Sequence, residues 1–192
     1  MIELVRREGV VRARDLAPLG IPRVYLKRLE EKGILERVSR GLYTLAGVPI
    51  TEHHTLAEAA KRVPHGVVCL LSALSFHRLT TQAPFEVWLA IDRSARRPRV
   101  DYPPLRVVRM TGEARRAGLE KHDVEGVTVQ ITSAAKTVAD CFKFRNKLGL
   151  DVALEALRDY HRDRRRNLDD LWRFARICRV ANVMRPYLEA LA

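Results

Sequence analysis

Gly20-Ile-Pro-Arg-Val-Tyr-Leu-Lys-Arg-Leu-Glu-Glu-Lys-Gly-Ile-Leu-Glu-Arg-Val-Ser-Arg-Gly-Leu-Tyr-Thr-Leu45 decides the fold of the N-terminal part of this chain. It reads as a turn, an amphipathic helix, a strand, a basic tight turn and a second strand. Pro22 suits the first turn of a helix, where its missing N–H leaves nothing unpaired, and Gly33 supplies the stop. At 100° per residue Tyr25, Leu26 and Leu29 share one face, while Arg23, Val24, Lys27, Arg28 and Glu31 point the other way. Ile34 to Val38 and Leu42 to Leu45 are short β-prone runs, and Ser39-Arg40-Gly41 between them can make a hairpin turn.

Working outward, Ile2 to Arg7 reads as a first helix and Arg14 to Leu19 as a second one leading into Gly20. The order is that of a winged helix-turn-helix over residues 1–48. In such a module the recognition helix lies in the major groove, and the wing and flanking basic groups neutralise phosphates. Arg23, Val24, Lys27 and Arg28 are therefore the candidates for the groove, and Arg12, Arg14, Arg37, Arg40 and Tyr43 for the backbone. The same order of elements also occurs in winged helices that bind proteins, and Tyr43 has the alternative role of closing the small core.

The 192 residues carry 35 Lys and Arg against 23 Asp and Glu, a formal charge of +12. The excess is spread along the chain, with 10 basic and 6 acidic residues over 1–50, 12 and 9 over 51–132, and 13 and 8 over 133–192. A polyanion partner fits this balance better than a cationic ligand does. Cys69, Cys141 and Cys178 are far apart among apolar neighbours, which points to buried thiols in a reducing cytoplasm and to neither zinc nor disulfides. The N-terminus lacks a signal-peptide core, and no run approaches the ~20 apolar residues of a membrane span. A cytoplasmic protein without a membrane partner is expected.

Gly47-Val48-Pro49 makes the domain boundary, and residues 49–192 read as an α+β domain, with a small sheet over about 84–132 and helices over about 133–192. Thr51 can cap a helix running to about Val63, and Gly66 to Leu79 is an apolar run that favours a buried helix. Phe85 to Ile91, Leu105 to Met110 and Val127 to Ile131 are strands. Ser133 can cap a helix to about Arg145, in which Lys136 and Asp140 form an exposed or half-buried pair worth a few tenths of a kcal/mol. Asp151 and Asn167 cap the next two helices, and Pro186 stands near the start of a last one.

The N-terminal Gly-Ile-Pro-Arg-x-x-Leu-x-Arg-Leu-x-x-x-Gly-Ile-Leu-x-Arg-Val-x-Arg-Gly-Leu-Tyr pattern is followed by Leu70-Leu-Ser-Ala-Leu-Ser-Phe-His-Arg-Leu79, Ile131-Thr-Ser-Ala-Ala-Lys-Thr-Val-Ala-Asp140 and Arg185-Pro-Tyr-Leu188. In this order the segments resemble AbiEi-type antitoxins of type IV toxin–antitoxin systems. The resemblance implies a non-enzymatic protein without a cofactor. Its winged helix would bind inverted repeats in double-stranded DNA of its own promoter, and its C-terminal domain would counteract a nucleotidyltransferase-like toxin, not necessarily in a stable complex. The family's DNA contacts carry over to Arg23, Lys27, Arg28, Arg37 and Arg40. The family also includes stand-alone regulators, so a transcription factor whose middle domain senses a ligand is the alternative.

Two chemical readings compete with a binding protein. His53, His54, His65 and His77 invite a metal, yet adjacent histidines on a helix diverge by about 100° and no ligand spacing is present. They read as cap, loop and core residues. Asp92, Asp101 and Glu113 around an arginine-rich loop invite an Mg²⁺-dependent nuclease, but no acidic residue is followed closely by a lysine on an expected strand, and no nucleophile, P-loop or dinucleotide motif is present. The loop itself carries Arg93, Arg96, Arg97 and Arg99. It is a second phosphate contact, a surface for a toxin or its substrate, or a solvated turn. Arg162-Asp-Arg-Arg-Arg166 has the same three readings.

Overall fold

The computed structural model describes residues 1–47, 51–164 and 166–191. The expected boundary at residues 48–49 and Arg165 of the second basic run lie outside these. The architecture is α+β. Helix α1 (Ile2–Glu8) leads into strand β1 (Val11–Arg12), a 3-10 helix (Ala13–Leu19), helix α2 (Val24–Glu31) and the hairpin β2 (Leu35–Ser39) and β3 (Leu42–Leu45). β3 is the central strand of a three-stranded antiparallel sheet, with Val11 opposite Tyr43 and Leu35 opposite Leu45. Val5, Val11, Leu16, Leu26 and Leu35 form the small core between sheet and helices. The expected α-helix over 14–19 is a 3-10 helix instead. Pro18, with no amide to donate, stands where an α-helix needs its ladder, and Arg12 and Asp15 close the start of the turn.

The chain continues as α3 (His54–Arg62), β4 (Val67–Val68), α4 (Leu70–Phe76), β5 (Val87–Asp92), β6 (Leu105–Met110), α5 (Gly112–Arg116), β7 (Leu119–Val124) and β8 (Val127–Thr132). It then closes with α6 (Ala134–Lys143), α7 (Arg145–Leu148), α8 (Leu150–Arg162), α9 (Leu168–Ile177) and α10 (Ala181–Glu189). The second sheet is five-stranded in the order β6-β5-β4-β8-β7. β5 pairs in parallel with β6 and β4 with β8, while β4–β5 and β7–β8 are antiparallel. Strand alternation sends Val87, Leu89 and Ile91 to one face, against Leu56 and Ala59 of α3 and Val63 just after it. Trp88 and Ala90 face the other way, into the large core built by α4, α6, α8, α9 and α10. β5 is thus buried on both faces, as a strand covered by helices on both sides must be.

The helix caps follow the side chains: Ser133 accepts the Lys136 amide and Asn167 the Asp170 amide. Thr51 instead stands ahead of α3, whose cap position is His53, and Asp151 inside the first turn of α8, whose cap position is Gly149. Pro186 lies within α10, not at its start.

The N-terminal elements are fastened to α3 and to the β7–β8 hairpin. Val10 and Leu42 share a core cluster with α3 and β8, and Lys61 Nζ donates to Glu8 at 3.1 Å. Glu125 in the hairpin turn accepts from the amide and hydroxyl of Thr51, each at 2.8 Å, and lies 2.6 Å from His54 Nδ1. Partial burial pushes the Glu125 carboxyl up, and the bonds from His54 and Thr51 outweigh it, holding the carboxyl below its ordinary range. Backbone meets backbone at Gly9, φ +62°, where an added Cβ would overlap the carbonyl oxygen of Glu125. Gly20 has φ +66° but open space around its Cβ position. Gly9→Ala is therefore expected to lower unfolding stability by more than about 1 kcal/mol. In urea titrations the loss should clearly exceed that of Gly20→Ala, which carries the backbone strain alone; equal losses would mean the two backbones are not pressed together.

Candidate nucleic-acid interface

Helix α2 is set up at both ends by local chemistry. Gly20 takes a left-handed conformation and returns its amide to Ala17 O, and the Tyr25 amide bonds Pro22 O. At the far end Gly33, φ +67°, donates to Glu30 O while the Ile34 amide reaches Leu29 O. Of the inward face, Leu26 is sealed at 2% exposure and Leu29 packs partly against the small core. Tyr25, expected inward with them, is 45% exposed beside Val24 at 49%. The small core has Val5, Val11, Leu16 and Leu35 to offer α2, enough for one buried leucine and too little for a flanking tyrosine. Arg23, Lys27 and Arg28 are exposed together with Val24. Their ties are weak: Lys27 lies 3.7 Å from Glu31 on the surface, and the Arg28 guanidinium stands 5.9 Å from the centre of the Tyr25 ring.

The β2–β3 hairpin turns at Arg40 and Gly41, with an irregular register between Arg37 and Ser39. Arg37 and Arg40 are exposed, and Tyr43 is half-buried against the small core, which favours its structural role. The turn is clamped from behind. Arg62 Nη2, in the last turn of α3, donates to Ser39 Oγ at 2.7 Å and to Arg40 O at 3.3 Å, and Ser39 Oγ donates to the buried Glu58 at 2.7 Å. The Ala13 amide bonds Gly41 O, which brings Arg12 and Arg14 beside the turn.

The arginine loop after β5 is equally well held. Asp92 Oδ1 accepts from the amide and hydroxyl of Ser94 at 3.0 and 2.6 Å, and these bonds hold the carboxyl below its ordinary range. The Arg109 guanidinium donates to the carbonyls of Asp92, Arg93 and Ala95, stapling the loop to β6. Arg93, Arg96, Arg97 and Arg99 are all exposed. Arg99 reaches the hairpin, where it lines a cavity of about 280 Å³ with Arg12, Arg14, Arg40 and Arg62. Arg97 lines a second cavity, of about 340 Å³, with Arg109 and Lys147. Arg93 and Arg96 line neither. Arg62 is the contributor that sequence reading misses, since a basic residue in the last turn of a helix is ordinary and nothing local links it to Arg40.

The residues of the two competing chemical readings have other duties. Asp92 shapes its turn, and Asp101 and Glu113 are exposed. His54 meets Glu125, His77 Nε2 bonds Thr132 O at 2.7 Å, His53 packs 4.8 Å from the Phe76 ring, and the His65 carbonyl accepts from Arg115. Among the described residues no group of three or more His, Cys, Asp or Glu is placed to hold a metal, and no helix is long and apolar enough to cross a membrane. All three cysteines are buried as thiols. Burial pushes Cys69 and Cys141 well up and Cys178 to about 12, which makes them poor nucleophiles.

Compared with known proteins, residues 1–46 match the model of a family described as transcriptional regulator, AbiEi antitoxin. The matched stretch spans α1 to β3 and contains Arg14, Arg23, Val24, Lys27, Arg28, Arg37, Arg40 and Tyr43. No curated protein matches the chain.

Proposed function

We propose that the chain is a DNA-binding antitoxin without catalytic activity. Residues 1–48 act as a winged helix-turn-helix on double-stranded DNA, and residues 49–192 form the domain that counteracts a nucleotidyltransferase-like toxin. α2 is the recognition helix, with Arg23, Lys27 and Arg28 reading bases and phosphates and Val24 available to a thymine methyl. The β2–β3 hairpin is the wing, with Arg37 and Arg40 on the backbone and Arg14 adding charge beside it. The observation that carries the reading is the outward face of α2, basic and nearly free of internal partners, within a stretch similar to antitoxin regulators. Inverted repeats in the protein's own promoter are the proposed target, met by two copies of the chain. A second reading, a stand-alone regulator that responds to a ligand, is favoured by a cavity of about 520 Å³ among α4, β7, α6 and the α8–α9 connection, lined by His77, Arg78, His122 and Tyr160.

Titrating the purified protein against its upstream DNA and a scrambled duplex, over a range of salt, tests the reading. With some six phosphates neutralised, log K should fall with log salt at a slope of roughly −5, and the upstream DNA should win. Equal weak binding to both duplexes would reduce the module to a nonspecific or protein-binding one.

A further inference from the structure

The cavity behind the hairpin turn gathers Arg12 and Arg14 from the first strand and 3-10 helix, Arg40 from the β2–β3 turn, Arg62 from α3 and Arg99 from the end of the arginine loop. Five arginines from separate parts of the chain line about 280 Å³, with Gly41, Leu42 and Val100 completing the wall. Two carboxylates stand behind them: Asp15 pairs with Arg12 Nε at 3.2 Å, and Glu58 reaches Arg62 only through Ser39 Oγ. Among the described residues, Arg14, Arg40 and Arg99 form no ion pair. Behind the wall, Arg12 Nη1, Arg62 Nε and Glu58 Oε2 are buried without a hydrogen-bond partner.

We propose that this cavity is a phosphate-binding site. Guanidinium forks match the oxygens of a phosphoryl group in shape and charge, and the volume falls below the ~300–1,000 Å³ of typical organic-ligand pockets, whose walls are mostly apolar. The occupant is a compact, highly charged oxyanion. Two sources supply that chemistry: a backbone phosphate of DNA flanking the groove that α2 enters, or the polyphosphate chain of a free nucleotide. The first source rests on the function proposed above and the second does not. Occupancy by either joins the hairpin to the arginine loop, since Arg40 and Arg99 lie on the same cavity wall while belonging to segments far apart in sequence.

The test uses the full chain and two titrations, one with tripolyphosphate by calorimetry and one with the upstream duplex by fluorescence anisotropy. Arg14→Ala/Arg99→Ala is the variant, because both side chains are exposed and their loss leaves the Arg62 clamp in place. Lys121→Ala/Arg158→Ala removes the same charge from exposed positions outside the cavity. The wild type is expected to bind tripolyphosphate, with affinity reduced at least tenfold in the cavity variant and unchanged in the control. If tripolyphosphate binds and DNA affinity does not fall, free polyphosphate is the occupant. If DNA affinity falls tenfold, with a salt slope shallower by about one, and tripolyphosphate binding is weak throughout, the site serves the DNA backbone. A wild type that binds no DNA removes the function proposed above, and the cavity is then judged on tripolyphosphate alone. Should the cavity variant match the control in both titrations, or the wild type bind neither ligand, the proposal is overturned.

Discussion

Replacing Arg23, Lys27 and Arg28 together by alanine is expected to lower affinity for the upstream DNA by at least ~100-fold without unfolding the protein. A good bidentate base contact is worth about 1–3 kcal/mol, and each phosphate contact adds its share of released counterions. Three such side chains on one helix face carry more than the ~2.7 kcal/mol that a hundredfold change requires. The fold should survive because the three side chains are exposed, and what they give up is the surface pair of Lys27 with Glu31 and the stacking of Arg28 near Tyr25. Circular dichroism and melting temperature should match the wild type while binding is lost. The single variants sort the contacts. One that reads a base should flatten the preference for upstream over scrambled DNA, whereas one that touches phosphate should weaken both alike. If the triple variant kept wild-type affinity, α2 would not be the recognition helix and the arginine cavity would become the leading nucleic-acid contact.

Many of the elements are legible in the sequence because each is written locally. Gly33, the Arg40-Gly41 turn, Ser133 and Asn167 act within a few residues of themselves, and their elements lie close to where they are expected. What sequence reading misses depends on distant partners. β4 has two residues, and inside the apolar run from Gly66 nothing separates it from the helix that follows. β7, Leu-Glu-Lys-His-Asp-Val, is an edge strand with most of its side chains in solvent, so it lacks the hydrophobic alternation that would announce it. The sheet accordingly begins at Val67, earlier than the expected 84. The arginine loop has the composition of a solvated turn, and its attachment depends on Arg109 from the next strand. Arg62 and Arg99 meet Arg40 only because α3 and the loop both pass behind the hairpin. Spacing within a chain carries no record of such a meeting.

The Lys136–Asp140 pair is the largest departure from expectation, and it decides the second strong effect. Four residues apart on a helix, the two read as a surface pair, but α6 is packed by α4, α8 and α9, and both side chains are fully buried. The Lys136 ammonium donates to both carboxylate oxygens of Asp140, and Cys178 Sγ adds a weaker bond at 3.3 Å. The chain before β7 seals the site at Gly118, where an added Cβ would stand 2.8 Å from that of Lys136. Burial pushes the Asp140 carboxyl up, with Lys136 pulling it back toward the ionised form. Lys136→Met fills the space and removes the counter-charge, so it should cost about 3–5 kcal/mol in denaturant unfolding, the scale of a buried pair broken on one side. Lys136→Met/Asp140→Leu should recover most of that loss, because no charge then remains to be desolvated. The pH dependence has a definite sign. With Lys136 gone, the folded-state pKa of Asp140 rises further above its unfolded value. The penalty is then smallest in acid, where the carboxyl is protonated in both states, and grows as pH rises through the folded pKa. Unfolding curves at pH 5 and pH 8 should show the larger loss at pH 8. A loss that did not change with pH would mean that supplying a counter-charge to Asp140 is not the role of the lysine, and a single variant as stable as the double would mean that Asp140 finds water or another partner.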